Sequence, residues 1–279
     1  MICSRPLDNY PLTCTNSIEV ARESLARIYA EPRLILARGE KALNVTINNC
    51  QLRHVGLTYL TFGAAAQIEF PETNYLSMLF PIRGRGRITN GMTTEHIGPE
   101  RGLTINSAMS FEANYSDDYE HLVLRIEPAT LLKKLAAIVG EPITGPIEFK
   151  SAPAAASSAS QILRDYLFFL VGNLSTPAAP LPTWAIAESE QMLMVLFLHA
   201  NKHNYSHLLD EQPTEIAHRQ VRRAADYIEA NWARPITLES LAAVTGACVR
   251  DLFRAFTRIR GCSPLEFVRQ VRQRHEGHH

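Results

Sequence analysis

The segment ITLESLAAVTGACVRDLFRAFTRIRGCSPLEF, residues 236–267, decides the fold of the C-terminal part of this sequence. Thr237 predicts a helix N-cap, and Glu239 stands in the first turn, where the helix dipole favours an acid. Gly246 then supplies the backbone freedom for a sharp turn into a second helix. The segment therefore predicts two short helices joined at a glycine.

Further helices flank this pair. Ser263 as N-cap, Pro264 at the first helical position and Glu266 two residues later form a predicted capping box, so a helix runs from about 264 to 274. Upstream, an apolar stripe at helical spacing predicts a lead-in helix and consists of Val221, Ala225, Ile228 and Trp232. The second helix of the pair has three predicted buried residues, which are Val249, Leu252 and Phe256.

Three arginines of the second helix, Arg250, Arg254 and Arg258, share one face at positions i, i+4 and i+8. Like charges at this spacing destabilise an isolated helix by a few tenths of a kcal/mol, roughly, per pair. An anion covering the face would remove this cost, and a helix presented after a tight turn is the geometry that enters a DNA major groove. The alternative is a solvated face on an ordinary helical bundle.

The charge distribution agrees with a polyanionic partner for the C-terminal part. Residues 215–279 carry 11 arginines and 7 acids, a balance of +4, whereas residues 1–214 carry 17 basic and 21 acidic residues, a balance of −4. The five cysteines include no C-x-x-C pair, which favours reduced thiols in a cytoplasmic protein. No apolar run reaches the roughly 20 residues that a membrane span needs, so no membrane association is predicted.

The body of the chain is predicted to be rich in β-structure. Short runs bounded by Gly, Pro and Asn fill about residues 34–127, and eight to ten of them suggest a β-barrel or sandwich. In HLVLRIE, apolar residues alternate with others, the period of a half-buried strand. Helices are predicted over about 128–201. The predicted domains are therefore 1–201, with the barrel and its helices, a linker at 202–214, and 215–279.

Residues from about 219 to 274 resemble a known family. The segment ITLESLAAVTG, the following VRDLFRAF and GCSPLEF, and the preceding VRRAADYIEANWARP closely resemble the first helix-turn-helix of AraC/XylS-type transcriptional regulators. The resemblance implies an α+β protein with an N-terminal cupin-like β-barrel or jelly roll and dimerisation helices, followed by an all-α helix-turn-helix domain. It also implies a transcription activator that forms a homodimer, binds double-stranded promoter DNA and a small effector such as an aromatic carboxylate, and has RNA polymerase as a further partner.

The resemblance assigns roles to particular residues. The recognition helix spans about 248–259, in which Arg250 and Arg254 contact base edges or phosphates. Three other arginines are implied DNA-backbone contacts, namely Arg258, Arg269 and Arg272. A carboxylate effector needs a cation or hydrogen-bond donor near a strand, and the candidates, each with a structural role as the alternative, are Arg53, His54, Tyr59 and Arg125.

The sequence predicts no catalytic residue, metal or cofactor. His54, His96 and His121 stand alone, without the H-x-H set that cupin metal sites use, and no nucleophile elbow or phosphate-binding loop occurs in a fitting context. The apolar face predicted within 184–201 exceeds one narrow core stripe, so part of it is a candidate dimer contact, with core packing as the alternative.

The sequence departs from the family pattern at its end. After the first helix-turn-helix the chain runs into RQRHEGHH and no second unit follows. The expectation is a C-terminally shortened regulator whose DNA binding is weak or depends on dimerisation. The alternative function is a small-molecule-binding barrel whose truncated helix-turn-helix no longer binds DNA effectively.

Overall fold

The computed structural model describes residues 5–29, 31–36, 43–91, 93–140, 142–150, 157–176, 181–210 and 215–276. The chain forms two compact units. The sandwich unit contains Met1–Leu131 and Pro146–Asn204, and the helical unit contains Leu132–Gly145 and Tyr205–His279. Each unit buries an apolar cluster of its own, as expected for separate folding units.

Eleven strands are found among the described residues of the sandwich unit. In chain order they are β1 (Pro11–Thr15), β2 (Arg33–Leu36), β3 (Val45–Gln51), β4 (Val55–Thr61), β5 (Ala66–Phe70), β6 (Leu76–Arg83), β7 (Gly86–Asn90), β8 (Thr93–Ile97), β9 (Leu103–Ile105), β10 (Phe111–Tyr115) and β11 (Glu120–Ile126). They pair antiparallel in two sheets, with strand orders β1-β3-β4-β11-β6-β9 and β2-β5-β10-β7-β8. The predicted cupin-like jelly roll is thus confirmed as an antiparallel β-sandwich. Its described strands form two separate sheets and not one closed barrel.

Four helices adjoin the strands in sequence: α1 (Ile18–Ala26), α2 (Pro128–Val139), α3 (Ser158–Leu174) and α4 (Thr183–Ala200). Helix α3 is tied to the six-stranded sheet by Arg164, which donates a hydrogen bond of 2.9 Å to the Pro81 carbonyl. Helix α4 is tied to it by Glu190, a buried carboxylate that accepts hydrogen bonds from the backbone N–H groups of His54 (2.5 Å) and Val55 (2.8 Å). These contacts place both helices against the six-stranded sheet.

This helical cover changes the environment of β11. The sequence predicts a half-buried strand there, but four consecutive residues, 121–124, are all buried. Val123 belongs to the core between the sheets, while Leu122 and Leu124, which point to the opposite face, are also buried. The half-buried interpretation is therefore wrong, because tertiary contacts cover the face that would otherwise meet water.

The start of the sandwich unit contains a strand that the sequence analysis missed. Strand β1 precedes α1 and pairs with β3, so the β-structure begins near residue 11 and not near 34. Ser17 is the N-cap of α1, and its hydroxyl accepts a hydrogen bond of 3.3 Å from the Val20 N–H. This bond satisfies one of the backbone N–H groups that a helix leaves without a partner at its start.

In the described residues of the helical unit, the last part of α2 is joined by five further helices: α5 (Ser206–Asp210), α6 (Glu215–Ala230), α7 (Leu238–Thr245), α8 (Val249–Arg260) and α9 (Pro264–Glu276). Helix α5 lies inside the segment predicted as a linker, whose residues 211–214 are outside the described residues. The buried core of the unit takes residues from α6 to α9, which are Val221, Ala224, Ala225, Ile228, Leu241, Leu252, Phe256, Phe267, Val268 and Val271.

Candidate functional site

The first candidate site is the surface of α8, which local interactions hold after a sharp turn. Thr237 caps α7 by accepting from the Ser240 N–H at 3.2 Å, and the Ser240 hydroxyl accepts from the Thr237 N–H at 3.1 Å. Gly246 ends α7 in the left-handed conformation with φ of 68°. A residue with a Cβ would be strained at this φ, so glycine allows the chain to reverse into α8.

Both ends of α8 also have identifiable caps. Cys248 is the N-cap, and its Sγ accepts a hydrogen bond from the Asp251 N–H at 3.3 Å. At the other end α8 stops at Gly261, which has a positive φ of 72°. Ser263 and Glu266 then form the predicted capping box of α9, with reciprocal hydrogen bonds of 3.2 and 2.7 Å. The turn geometry therefore fixes where α8 begins and ends.

Three of the four arginines of α8 are the predicted DNA contacts, and they have different surroundings. Arg250, at the first turn, is exposed, whereas Arg254 and Arg258 are half-buried. Gly140, which follows α2 in the helical unit, lies beside Arg254, and a Cβ added at Gly140 would be 3.5 Å from the Arg254 Cα. Arg258 donates a hydrogen bond to the Leu208 carbonyl. The amino-terminal end of α8 thus presents the most accessible cation of the three.

The two candidate arginines of α9 also differ. Arg269 is exposed. Arg272 donates hydrogen bonds to the carbonyls of Trp232 (2.9 Å) and Arg234 (2.7 Å), and it therefore joins α9 to the segment between α6 and α7. A guanidinium used in this way stabilises the unit. Its assigned contact with DNA stays a prediction.

The four effector candidates of the sandwich unit do not all face one site, because Tyr59 and Arg125 lie on opposite faces of the six-stranded sheet. Arg53 is exposed, and the His54 Nδ1 lies 3.7 Å from the Glu127 carboxylate. Tyr59 pairs with Leu122 in the sheet and points to the same face, away from the core between the sheets. Their roles in effector binding stay predictions.

Tyr59 is held by a carboxylate. Its hydroxyl donates a hydrogen bond of 3.0 Å to Glu120. Burial raises the pKa of Tyr59 well above its usual value, and the neighbouring Glu120 charge raises the pKa further. The phenol therefore stays protonated and acts as a donor.

Arg125 is the one effector candidate on the inner face of the sandwich. It lies two residues after core residue Val123, so its side chain points to the same face. Its guanidinium donates to the Ile28 carbonyl at 2.6 Å and to Asn49 Oδ1 at 3.2 Å. The side chain passes beside Gly56, where an added Cβ would lie 2.6 Å from its Nη2. Arg125 therefore joins the chain after α1 to β11.

A cavity that the sequence did not predict lies at the edge of the sandwich where β8 and β9 end the two sheets. Its volume is about 160 Å³, and it is bounded by β7, β8, β9 and β10 with the loop before β10. The lining residues are Ile88, Asn90, Thr93, Glu95, Leu103, Thr104, Ile105, Met109 and Phe111. Strand alternation marks some of these positions as inward-facing, but the pairing of distant strands brings them together, and no local signal gives that pairing.

Among the described residues, no group of three or more His, Cys, Asp or Glu side chains could hold a metal ion. His121 is buried beside Tyr115 and Tyr119, with ring centroids 5.3 and 4.9 Å away. His96 is exposed on β8. No helix in the described part of the chain is both long and apolar enough to cross a bilayer.

Comparison with known proteins identifies the family. The sequence model of the AraC-binding-like domain matches residues 21–199, more than half of the chain. The chain belongs to the AraC-binding-like domain family. The predicted resemblance to AraC-type regulators is thereby confirmed.

Individual relatives are more distant. The chain is 30% identical over 158 residues to a probable thc operon regulatory protein of Rhodococcus erythropolis, and the match covers 54% of this chain and 46% of that relative. The chain thus spans about half the length of this curated relative.

Solved structures support the fold alone. The AraC-like transcriptional activator CuxR matches with a TM-score of 0.52 at 14% identity, covering 94% of this chain and 91% of that chain. Ectoine synthase from P. lautus matches 30% of this chain and 64% of that chain, at 15% identity and a TM-score of 0.28, which is too low to support an argument.

Proposed function

We propose that this AraC-family protein is a sequence-specific DNA-binding transcriptional regulator that responds to a small effector. The observation that carries the proposal is α8, a capped helix that follows the left-handed Gly246 and presents Arg250 at its exposed first turn. The first residues of a helix held after such a turn are those that reach base edges in a major groove. An arginine there can bind guanine N7 and O6 in a bidentate manner.

Other cations of the helical unit supply phosphate contacts in this proposal. Arg269 is exposed on α9. A groove between α6 and α8 is lined by three further arginines, which are Arg219, Arg222 and Arg260. Such contacts orient a protein on the duplex and make its affinity depend on salt.

Arg254 has a more restricted place in the proposal. It lies on the same face as Arg250 but is half-buried beside Gly140. Arg254 can contact DNA only if the residues after α2 leave room for the duplex on this side of α8, or if they move away from it. An effector could act through such a change, but only if it binds one arrangement more tightly than the other.

The small effector belongs to the sandwich unit, which contains most of the family match. An aromatic carboxylate was the effector class implied by the resemblance. The cavity of about 160 Å³ in this unit is a space with an apolar lining that suits a small ligand. Binding there, and activation of transcription through RNA polymerase, are further parts of the proposal.

We also propose a homodimer, which brings two copies of α8 to one DNA. Of the seven exposed large hydrophobic residues in the described part of the chain, four lie on α3 and α4, namely Ile162, Phe169, Trp184 and Met192. The apolar face predicted within 184–201 was the candidate contact, but Leu193 and Leu198 of α4 are buried within the chain. Phe169→Glu is expected to shift the protein to monomer in sedimentation experiments, and an unchanged mass would exclude α3 from the contact.

The proposal is tested by DNA binding at two salt concentrations. Duplexes enriched from a random pool are labelled, and fluorescence anisotropy gives the affinity. We expect tight binding that weakens steeply as salt rises. Arg250→Ala is expected to lose about 1–3 kcal/mol of binding free energy. Arg87→Ala, which removes an exposed arginine of β7, is the matched control and should bind as the unmodified protein does.

A different outcome would favour the alternative function. Absent or salt-insensitive DNA binding, with or without small ligands, would leave a small-molecule-binding sandwich whose helical unit does not engage DNA. If Arg250→Ala binds DNA as tightly as the Arg87→Ala control, the first turn of α8 does not contact DNA through Arg250.

A further inference from the structure

The cavity of the sandwich unit lies where two edge strands approach each other. Strand β8 is the last strand of the five-stranded sheet, and β9 is the last strand of the six-stranded sheet. Both contribute lining residues, so the cavity is placed at the open side of the sandwich. A small ligand could enter there without opening either sheet.

The size of the cavity limits the ligand. A buried space of about 150 Å³ lined by apolar side chains holds one benzene molecule. The 160 Å³ here corresponds to one six-membered ring with a short substituent. Five side chains supply an apolar lining for such a ring, and they are Ile88, Leu103, Ile105, Met109 and Phe111.

The polar part of the lining limits the chemistry of the substituent. The side chains of Asn90 and Thr93 are neutral, and Glu95 supplies the charge among the lining residues. Thr104 lines the cavity with its backbone, because its side chain points to the opposite face and donates a hydrogen bond of 2.7 Å to Asn201 Oδ1. The Glu95 side chain is 24% exposed, and its Oε2 lies 3.9 Å from the Nη2 of Arg101, a largely exposed partner. This long, exposed ion pair leaves the inner carboxylate able to accept a donor from a ligand, because such surface pairs contribute little.

The effector candidate that carries a cation on the inner face of the sandwich does not line the cavity. Arg125 pairs with Ser77, which in turn pairs with the lining residue Ile105, so Arg125 is two strands away. Its guanidinium reaches the opposite way, to the Ile28 carbonyl and Asn49. A carboxylate in the cavity would therefore face Glu95, and like charges disfavour that arrangement.

We propose that this cavity is the effector site and that it selects a cationic or hydrogen-bond-donating single-ring compound, with its donor group on Glu95. An aromatic carboxylate is disfavoured there. The inference rests on the proposed function, since it names the ligand class of the proposed effector unit. The carboxylate accepts the hydrogen bond, and the apolar side chains bury the ring.

The test measures three probes of equal ring size by isothermal titration calorimetry with the full chain at neutral pH. Benzylamine carries a positive charge, benzyl alcohol is a neutral donor, and benzoate is negative. We expect benzylamine to bind most tightly, benzyl alcohol next, and benzoate at least about tenfold more weakly than benzylamine, the scale of a charge-assisted hydrogen bond. Equal or tighter binding of benzoate would overturn the proposal.

Variants locate the binding. Glu95→Gln is expected to reduce benzylamine affinity by about tenfold while leaving benzyl alcohol nearly unchanged. Glu100→Gln removes an exposed carboxylate five residues away and should leave both affinities unchanged. Met109→Trp, at the half-buried rim of the cavity, should abolish binding of both probes by filling the space. Binding of benzylamine that survives Met109→Trp would place it elsewhere and overturn the proposal.

Glu95 has a second explanation, because an inward-pointing charge on an edge strand also prevents pairing with other chains. If that is its role, no probe binds the unmodified protein and Glu95→Gln self-associates, which would overturn the proposal. None of these measurements contains DNA. If the probes bind but DNA does not, the ligand site is supported and the proposed regulator function is contradicted. If DNA binds but the probes do not, only the ligand-site proposal is contradicted.

Discussion

The two units of this protein place their distinctive polar groups in opposite positions. In the helical unit, Arg250 and Arg269 are exposed on helices whose ends are fixed by local caps. In the sandwich unit, Glu95, His121 and Arg125 point inward from strands that pair with distant segments. The comparison teaches that a surface site on capped helices is encoded locally, whereas an interior site depends on strand pairing across the whole unit.

The largest expected effect tests whether the helical unit depends on its own core. Phe256 is fully buried and meets the Phe267 ring edge-on at 5.4 Å. Phe256→Ala is expected to destabilise this unit by about 3–5 kcal/mol, because it removes a buried ring and leaves a cavity. Calorimetry should show the transition of the helical unit lowered and that of the sandwich unit retained.

The control for this change is Ile216→Ala, which removes an apolar side chain that is 58% exposed on α6 of the same unit. It should alter stability by no more than about 0.5 kcal/mol. If Phe256→Ala instead lowered both transitions equally, the two units would not be independent and the comparison would fail.

The interior of the sandwich unit predicts a pH dependence. Burial lowers the pKa of His121 to about 3. The unfolded chain binds a proton below about pH 6.5 while the folded chain does not, so stability must fall as pH falls from there towards about 3. Between about pH 7 and pH 5 the loss from this residue is about 2 kcal/mol.

Urea unfolding at the two pH values measures this loss. His121→Phe keeps a ring beside Tyr115 and Tyr119 and should flatten the pH dependence by that amount. His96→Gln, at an exposed position, should leave the dependence unchanged. An equally steep profile in His121→Phe would mean that His121 is not held neutral by burial.

Two arginines of α9 sharpen the distinction between stabilising and DNA-binding cations. Arg272→Ala removes hydrogen bonds to the Trp232 and Arg234 carbonyls and should cost about 1–3 kcal/mol of folding free energy. Arg269→Ala should change stability by less than about 0.5 kcal/mol but weaken DNA binding and reduce its salt slope by about one. Chemical denaturation and anisotropy on both variants check this, and reversed effects would contradict the assignment.

The smallest expected effect concerns the start of α8. The Cys248 thiol is a weak acceptor for the Asp251 N–H, and a serine hydroxyl would accept more strongly. Cys248→Ser should therefore stabilise the helical unit by about 0.5 kcal/mol or slightly more. A lower melting temperature would show that the thiol contributes through packing.

The helical unit was largely predictable because its signals are local. Thr237, Gly246, Ser263 and Glu266 each act within four residues, and the structure confirms their caps and turn. The roles of individual arginines were less predictable, since Arg272 reaches carbonyls about 40 positions away in sequence.

The sandwich unit was predictable only in class. Alternation and turn residues predicted strands, but not that β1 precedes α1 or that α4 covers β4 through Glu190. The effector residues were predicted because their side chains can bind a carboxylate. The cavity residues are instead brought together by the pairing of β7 with β8 and of β6 with β9. Because register is set by tertiary packing, this site could not be assembled from one sequence.

The central claim is that the first turn of α8 contacts bases. It is tested most directly by selecting duplexes from a random pool with the unmodified protein and with Arg250→Ala, and by comparing the base preferences at each position. The account predicts that the variant loses preference, typically for guanine, at one position in each half-site and keeps the others. A variant that selects the same sequence with the same preferences, or an unmodified protein that selects none, would contradict it.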